Sequence, residues 1–254
     1  MRPQHLLILS CLAAAGCDFG TEGELGRGDF VYTCADGPDD PECASVGDEQ
    51  GIPWAIAVGS EFSLRYQADS SLSCSVRPAS HKHAVNGAGG FAVSLAGPTG
   101  FLATDFGDRV YDLIHVAAYP VATLALRCDD WMGLASACGP SIELEVGETA
   151  TIEAEPIGAT GDLLGGALPY AWESSDASIA SPSQGSGRIV EIQALAPGEV
   201  QLAVTAGGVT AQIPVVVSGE VDTGDDTDTG TDTDTDTDTG ADAGPDSGAS
   251  QGGL

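Results

Sequence analysis

Between Ser141 and Ser218 apolar residues alternate with polar ones: Ile142, Leu144, Val146; Val200, Leu202, Val204; Ile213, Val215, Val217. A period of two puts alternate side chains on opposite faces of an extended chain. This stretch can therefore bury one face of a strand but cannot form an amphipathic helix. Turn residues interrupt the pattern at Gly147-Glu148, Pro197-Gly198 and Gly207-Gly208, so the run breaks into six or seven short strands, the number a β-sandwich uses. Trp172 shares a face with Leu168 and Tyr170 and is expected to plug the centre of that sandwich as its core marker.

The stretch resembles a bacterial immunoglobulin-like domain of group 2. The pieces that carry the likeness are V-G-E-T-A-T-I-E-A (Val146 to Ala154), W-E-S-S-D (Trp172 to Asp176), I-A-S (Ile179 to Ser181) and A-L-A-P-G-E-V (Ala194 to Val200), leading into T-A-G-G (Thr205 to Gly208). The resemblance covers under a third of the chain. It implies a module of secreted and cell-surface bacterial proteins, often adhesins, with no catalytic residues. Two departures stand out: Pro182 where the family prefers a β-branched residue, and a long loop from Gly158 to Gly166.

At the other end, Arg2 precedes a ten-residue apolar run, Leu6 to Ala15. The run is too short to span a bilayer as a helix and reads as the core of an export signal. It ends in Ala14-Ala15-Gly16-Cys17. That ending resembles a bacterial lipoprotein signal, which implies that Cys17 is acylated and becomes the mature first residue. Residues 1–16 are then a signal peptide and 17–28 a polar tether, with acyl chains holding the protein to a membrane. Arg27-Gly28-Asp29 spells the integrin-binding tripeptide, a match short enough to arise by chance.

From Asp29 to Gly139 the pattern is again β, as in Phe30-Val31-Tyr32, Phe62/Leu64/Tyr66, Val110 to Val116 and Leu124/Leu126/Cys128. The expectation is a cysteine-containing β-sandwich over 29–139, followed by the immunoglobulin-like module over 140–218. The mature chain would carry five cysteines after Cys17, and export favours disulfides. Cys34 and Cys43 flank an acidic turn and are expected to clamp it. Cys74 and Cys128 fit an inter-sheet pair, with Cys128–Cys138 as the rival. Because five is odd, one thiol stays over.

No S-x-x-K or H-E-x-x-H occurs, and the single G-x-S-x-G match, Gly248 to Gly252, falls in the low-complexity C-terminal stretch and not between a strand and a helix. His81 and His83, with His115 or Cys74, could be set against a zinc site, but nothing fixes their partners and exposed loop histidines are the plainer reading. No metal or cofactor is expected. With 8 Lys and Arg against 38 Asp and Glu the net charge is −30, which disfavours nucleic-acid partners. Eleven of the acids fall in residues 219–254, a stretch with no base and almost no apolar residue; it is expected to be a disordered tail. Its aspartates alternate, but threonine stands where a calcium loop requires glycine at the sixth position.

The sequence thus points to an all-β chain: two β-sandwich domains, an acidic tail, and a non-enzymatic cell-envelope lipoprotein serving adhesion or surface interaction. Two alternatives stay open. One is a receptor for a surface glycan or protein, using Trp131, Tyr119 and Phe101. The other is a hydrolase of the first domain, built on His81, His83, His115 and Asp112.

Overall fold

The computed structural model describes residues 20–34, 39–43, 49–86, 90–129 and 135–219. Cys17, Trp131 and the acidic tail lie outside the described residues. The first module contains β1 (Thr21–Glu22), β2 (Gly28–Thr33), β3 (Glu49–Gln50), β4 (Ile56–Ala57), β5 (Glu61–Ala68), β6 (Ser75–Pro78), β7 (Ala84–Asn86), β8 (Phe91–Val93), β9 (Gly97–Thr104) and β10 (Val110–Tyr119). One sheet has the order β1-β2-β5-β8-β7, with β3 also on β2, and the other β4-β10-β9-β6. The second module contains β11 (Thr123–Asp129), β12 (Ala135–Ala137), β13 (Ile142–Glu145), β14 (Thr149–Ile157), β15 (Ala171–Ser174), β16 (Ala180–Pro182), β17 (Ile189–Ala194), β18 (Gly198–Ala206) and β19 (Val209–Ser218). Its sheets run β12-β11-β14-β17-β16 and β13-β19-β18-β15.

The two modules have the same topology. Each pairs its first long strand with the second, fifth and fourth in one sheet, and its third, sixth and seventh in the other. A short strand lies parallel to the last: β4 on β10, β13 on β19. This is the strand order of an immunoglobulin sandwich. The correspondence extends to single hydrogen bonds. Gly59 N–H donates to Val93 C=O and Val93 N–H to Ser60 C=O, just as Gly147 donates to Ala194 and Ala194 to Glu148. Gly59 and Gly147 both sit near φ = 90°, a conformation only glycine adopts without strain. The sequence likeness announces only the second copy; the first is built from different residues, with Val76 in the place of Trp172.

Three expectations change. β11, whose residues 124, 126 and 128 read as the end of the first domain, pairs along its length with β14, and Leu124 packs in the second core. The boundary therefore lies at 120–122, not 139–140. The tether over 17–28 is partly folded: β1 pairs with β2, and the turn after it is held by a buried carboxylate described below. The inter-sheet disulfide between Cys74 and Cys128 does not exist, because the two residues belong to different modules. Cys34 bonds Cys43, Cys128 bonds Cys138, and Cys74 is free and half-buried. Each bridge closes the excursion between the first long strand and the short parallel one.

Both sandwiches are filled from their inward faces. The first core is aromatic, with Phe62 meeting Phe101 edge-on at 5.6 Å and Phe30 meeting Tyr66 at 4.9 Å. The second is aliphatic around Trp172, which is 4% exposed and donates its indole N–H to Gly187 C=O at 2.8 Å. Pro182 forms the end of the edge strand β16 opposite Ile192. At an edge the missing N–H costs nothing if it faces outward.

Candidate functional site

The modules meet end to end, with only Pro120, Val121 and Ala122 between β10 and β11. The long loop after β14, which in sequence is merely longer than its family requires, closes this seam. Its Gly165 exchanges backbone hydrogen bonds with Ala55 and Ala57 at 2.9 Å, and its Ala167 with Glu61 at 2.8–2.9 Å. Leu164 and Leu168 enter a cluster shared with Ala55, Ala57 and Val121, so the second core continues across the boundary. Gly166 has φ = 92°, and a Cβ there would lie 2.2 Å from Ser60 Oγ. A side chain at this position would push the modules apart.

The acidic turn held by Cys34–Cys43 supplies the polar half of the seam. Asp40 is 3% exposed. Its carboxylate accepts the phenol of Tyr32, the Glu42 N–H and, across the seam, the Gly166 N–H at 3.0 Å. Asp39 accepts the Arg188 N–H at 2.9 Å, while the Arg188 guanidinium pairs with Glu153. Burial first, and then the neighbouring Asp40, raise the Glu42 carboxyl above its ordinary range. Replacing Asp40 with alanine would leave three donors without an acceptor, a loss of about 2–3 kcal/mol. We expect the Asp40→Ala protein to show a broader spread of module orientations in small-angle scattering and faster proteolytic cutting at 120–122, each module remaining folded.

Beside the seam lies a cleft of about 420 Å³ lined by Asp39, Pro169, Tyr170, Gln184, Ser186 and neighbouring residues. A second lobe of about 370 Å³ shares Asp39, Leu168 and Pro169 with it and adds Glu61. Tyr170 is 4% exposed, and its hydroxyl has no hydrogen-bond partner among the described residues. Burial pushes its pKa far up, so it remains a donor at any physiological pH. Sequence reading placed Tyr170 on the buried face beside Trp172. Nothing local marks its hydroxyl as unpaired, because the groups that bury it come together only through tertiary packing.

The residues weighed for a hydrolase do not converge. Asp112 is fully buried and is occupied by the N–H groups of Leu25, Arg27 and Leu113 at 2.8–3.0 Å and by the Tyr66 hydroxyl at 3.0 Å. His115 points to the opposite face of β10 and pairs there with Glu24 at 2.7 Å. His81 is exposed in the turn before β7. Of the aromatics weighed for a receptor, Phe101 is fully buried and Tyr119 is 43% exposed. Among the described residues no group of three His, Cys, Asp or Glu is placed to hold a metal ion. Arg27 of the integrin-like tripeptide stacks on Tyr111 at 5.4 Å and donates to its carbonyl.

No family model matches the chain, and no curated protein matches it. Among solved structures, domains 4 and 5 of the S-layer protein SbsC align with a TM-score of 0.32 at 17% identity, covering 62% of this chain and 83% of that one. The Yersinia pseudotuberculosis adhesin InvE aligns at 0.34 and 12% identity, over 66% of this chain and 57% of that one. The Escherichia coli adhesin FdeC aligns at 0.32 and 14%, over 66% and 62%. The sandwich topology stands on its own hydrogen-bond ladders.

Proposed function

We propose that the chain is a non-enzymatic cell-envelope lipoprotein, acylated at Cys17, that presents two immunoglobulin-like modules as one stiff surface-interacting unit. The observation that carries this reading is the seam. Two modules joined by three residues could swing freely, yet here a backbone ladder, a shared apolar cluster and the Asp39–Asp40 turn hold them together. Such a unit holds its far end at a fixed distance and direction from whatever anchors it, which suits display or adhesion. The second module is read as a group 2 bacterial immunoglobulin-like domain on the motifs given above. Asp112, one of the residues weighed for catalysis, is taken up by the N–H groups of Leu25, Arg27 and Leu113 and by the Tyr66 hydroxyl, which supports the non-enzymatic reading.

The test is metabolic labelling with a palmitate analogue, combined with protease shaving of intact cells. The expected result is a labelled band that disappears in Cys17→Ala and a wild-type chain that shaving removes. An unlabelled wild-type chain rules out the lipid anchor, and a labelled chain that resists shaving on intact cells rules out surface display.

A further inference from the structure

We infer that the end of the first module opposite the seam rests on the lipid surface, with Phe106 inserted among the headgroups. This deepens the lipoprotein reading and rests on it. β10 runs from Val110 to Tyr119 and leads into the seam, so its start marks the other end of the module. Three loops meet there: the turn of residues 23–27, the connection between β5 and β6, and the β9–β10 hairpin. Glu24 N–H donates to Leu113 C=O, the Arg27 guanidinium donates to Tyr111 C=O, and Ser70 Oγ lies 3.5 Å from the Tyr111 hydroxyl. Each loop turns an apolar side chain outward. Leu25, Leu72 and Val110 are exposed, and Phe106 is 93% exposed. The hairpin beneath Phe106 is closed from within. The Asp105 carboxylate accepts the Gly107 and Arg109 N–H groups at 2.9 and 3.2 Å and pairs with the Arg109 guanidinium. The ring therefore stands on a firm tip with almost none of its surface covered, and clustered apolar exposure of this kind marks a contact surface.

The chain before β1 says what covers it. Cys17 precedes Gly20 by three residues, which span at most about 11 Å. Thr21 pairs with Phe30 and Glu22 with Asp29, so Gly20 lies level with Val31, roughly 10 Å from the Gly28 end of β2. A headgroup layer takes up roughly 5–8 Å outside the hydrocarbon. An acylated Cys17 thus leaves no room for the module to stand clear of lipid, and the end in reach is the one bearing the exposed apolar side chains. The attraction is apolar, as for other interfacial contacts. Exposed Glu22, Glu24, Asp69 and Asp108 outnumber Arg27 and Arg109 here, so the end fits neutral headgroups and is repelled by anionic ones.

The experiment places the full chain, isolated from palmitate-labelled cells, in phosphatidylcholine vesicles whose acyl chains are brominated near the headgroup. Phe106→Trp puts an indole at the contact. Leu95→Trp puts one at the opposite end of the module, in the turn before the Gly97–Ala118 pair. Both side chains are exposed, so the substitutions leave the fold intact, and each spectrum is read as its difference from wild type. The added emission of Phe106→Trp is expected to shift to the blue and to be largely lost in brominated vesicles, while that of Leu95→Trp stays unquenched. Exchanging part of the neutral lipid for phosphatidylglycerol should reduce the quenching. The inference is overturned if Phe106→Trp emits as a water-exposed indole, if both positions are quenched alike, or if phosphatidylglycerol strengthens the quenching. An unlabelled wild-type chain removes the anchor and this contact with it. A labelled chain with an unquenched Phe106→Trp indole removes the contact alone and leaves the anchor standing.

Discussion

Trp172→Ala is expected to destabilise the second module by about 3–5 kcal/mol, the usual cost of removing a large aromatic side chain from a core that cannot collapse around the void. The indole lies on β15 opposite Val204, is 4% exposed, and bonds Gly187 across the turn that borders the cleft. The one disulfide of this module, Cys128–Cys138, closes a local excursion and does not join the two sheets, so packing alone resists their separation. Denaturant unfolding followed by circular dichroism should show a midpoint shift of that size. A change within about 0.5 kcal/mol, ordinary for a surface substitution, would mean that Trp172 does not hold the sandwich.

The other large effect belongs to the first module. Asp112→Ala should cost roughly 3–4 kcal/mol, because it leaves three N–H groups and the Tyr66 hydroxyl without an acceptor in a buried site. Gly23 lies so close that a Cβ there would fall 2.4 Å from the carboxylate, so the turn needs glycine at this position. The same geometry sets a pH dependence. Burial raises the Asp112 pKa, but the N–H groups of Leu25, Leu113 and Arg27 and the Tyr66 hydroxyl more than reverse this, leaving it below the ordinary aspartate value. A carboxyl depressed in the folded state adds stability that is complete above its unfolded pKa of about 3.9 and is lost as pH falls through the lower folded value. Acid titration of the wild type should therefore release the turn of residues 23–28 below about pH 4, seen as new amide exchange at Leu25 and Arg27. In Asp112→Asn that acid step should be absent.

How far the sequence reveals this structure depends on where each signal resides. Alternation is local, so the all-β class and most strands of the second module are legible, as is the burial of Trp172. Pairing is not local. The residues of β11 alternate equally well whichever sheet receives them, and only the ladder to β14 decides that Leu124 belongs to the second core. The likeness between the modules escapes sequence reading for a related reason. The corner built by Val146-Gly147-Glu148 is rebuilt with Val58-Gly59-Ser60, and an aromatic cluster replaces the tryptophan, so the shared hydrogen bonds rest on few shared letters. Asp39 and Asp40 read as an ordinary acidic turn. Their role depends on Gly166 and Arg188, more than a hundred residues away. Asp112, set among alternating residues of β10, carried no mark beyond an inward parity shared with Ile114 and Val116.

The short strands parallel to the last strand of each module have a mechanical consequence. Tension applied between the two termini enters a sandwich through its opening strands and leaves through its closing one. Four consecutive residues, Ile142 to Glu145, lie alongside Val215 to Ser218 pointing the same way, so a pull would slide the two strands past each other and load their bonds together instead of unzipping them one by one. A module wired this way yields abruptly and late, a useful property for anything tethered at one end and gripped at the other.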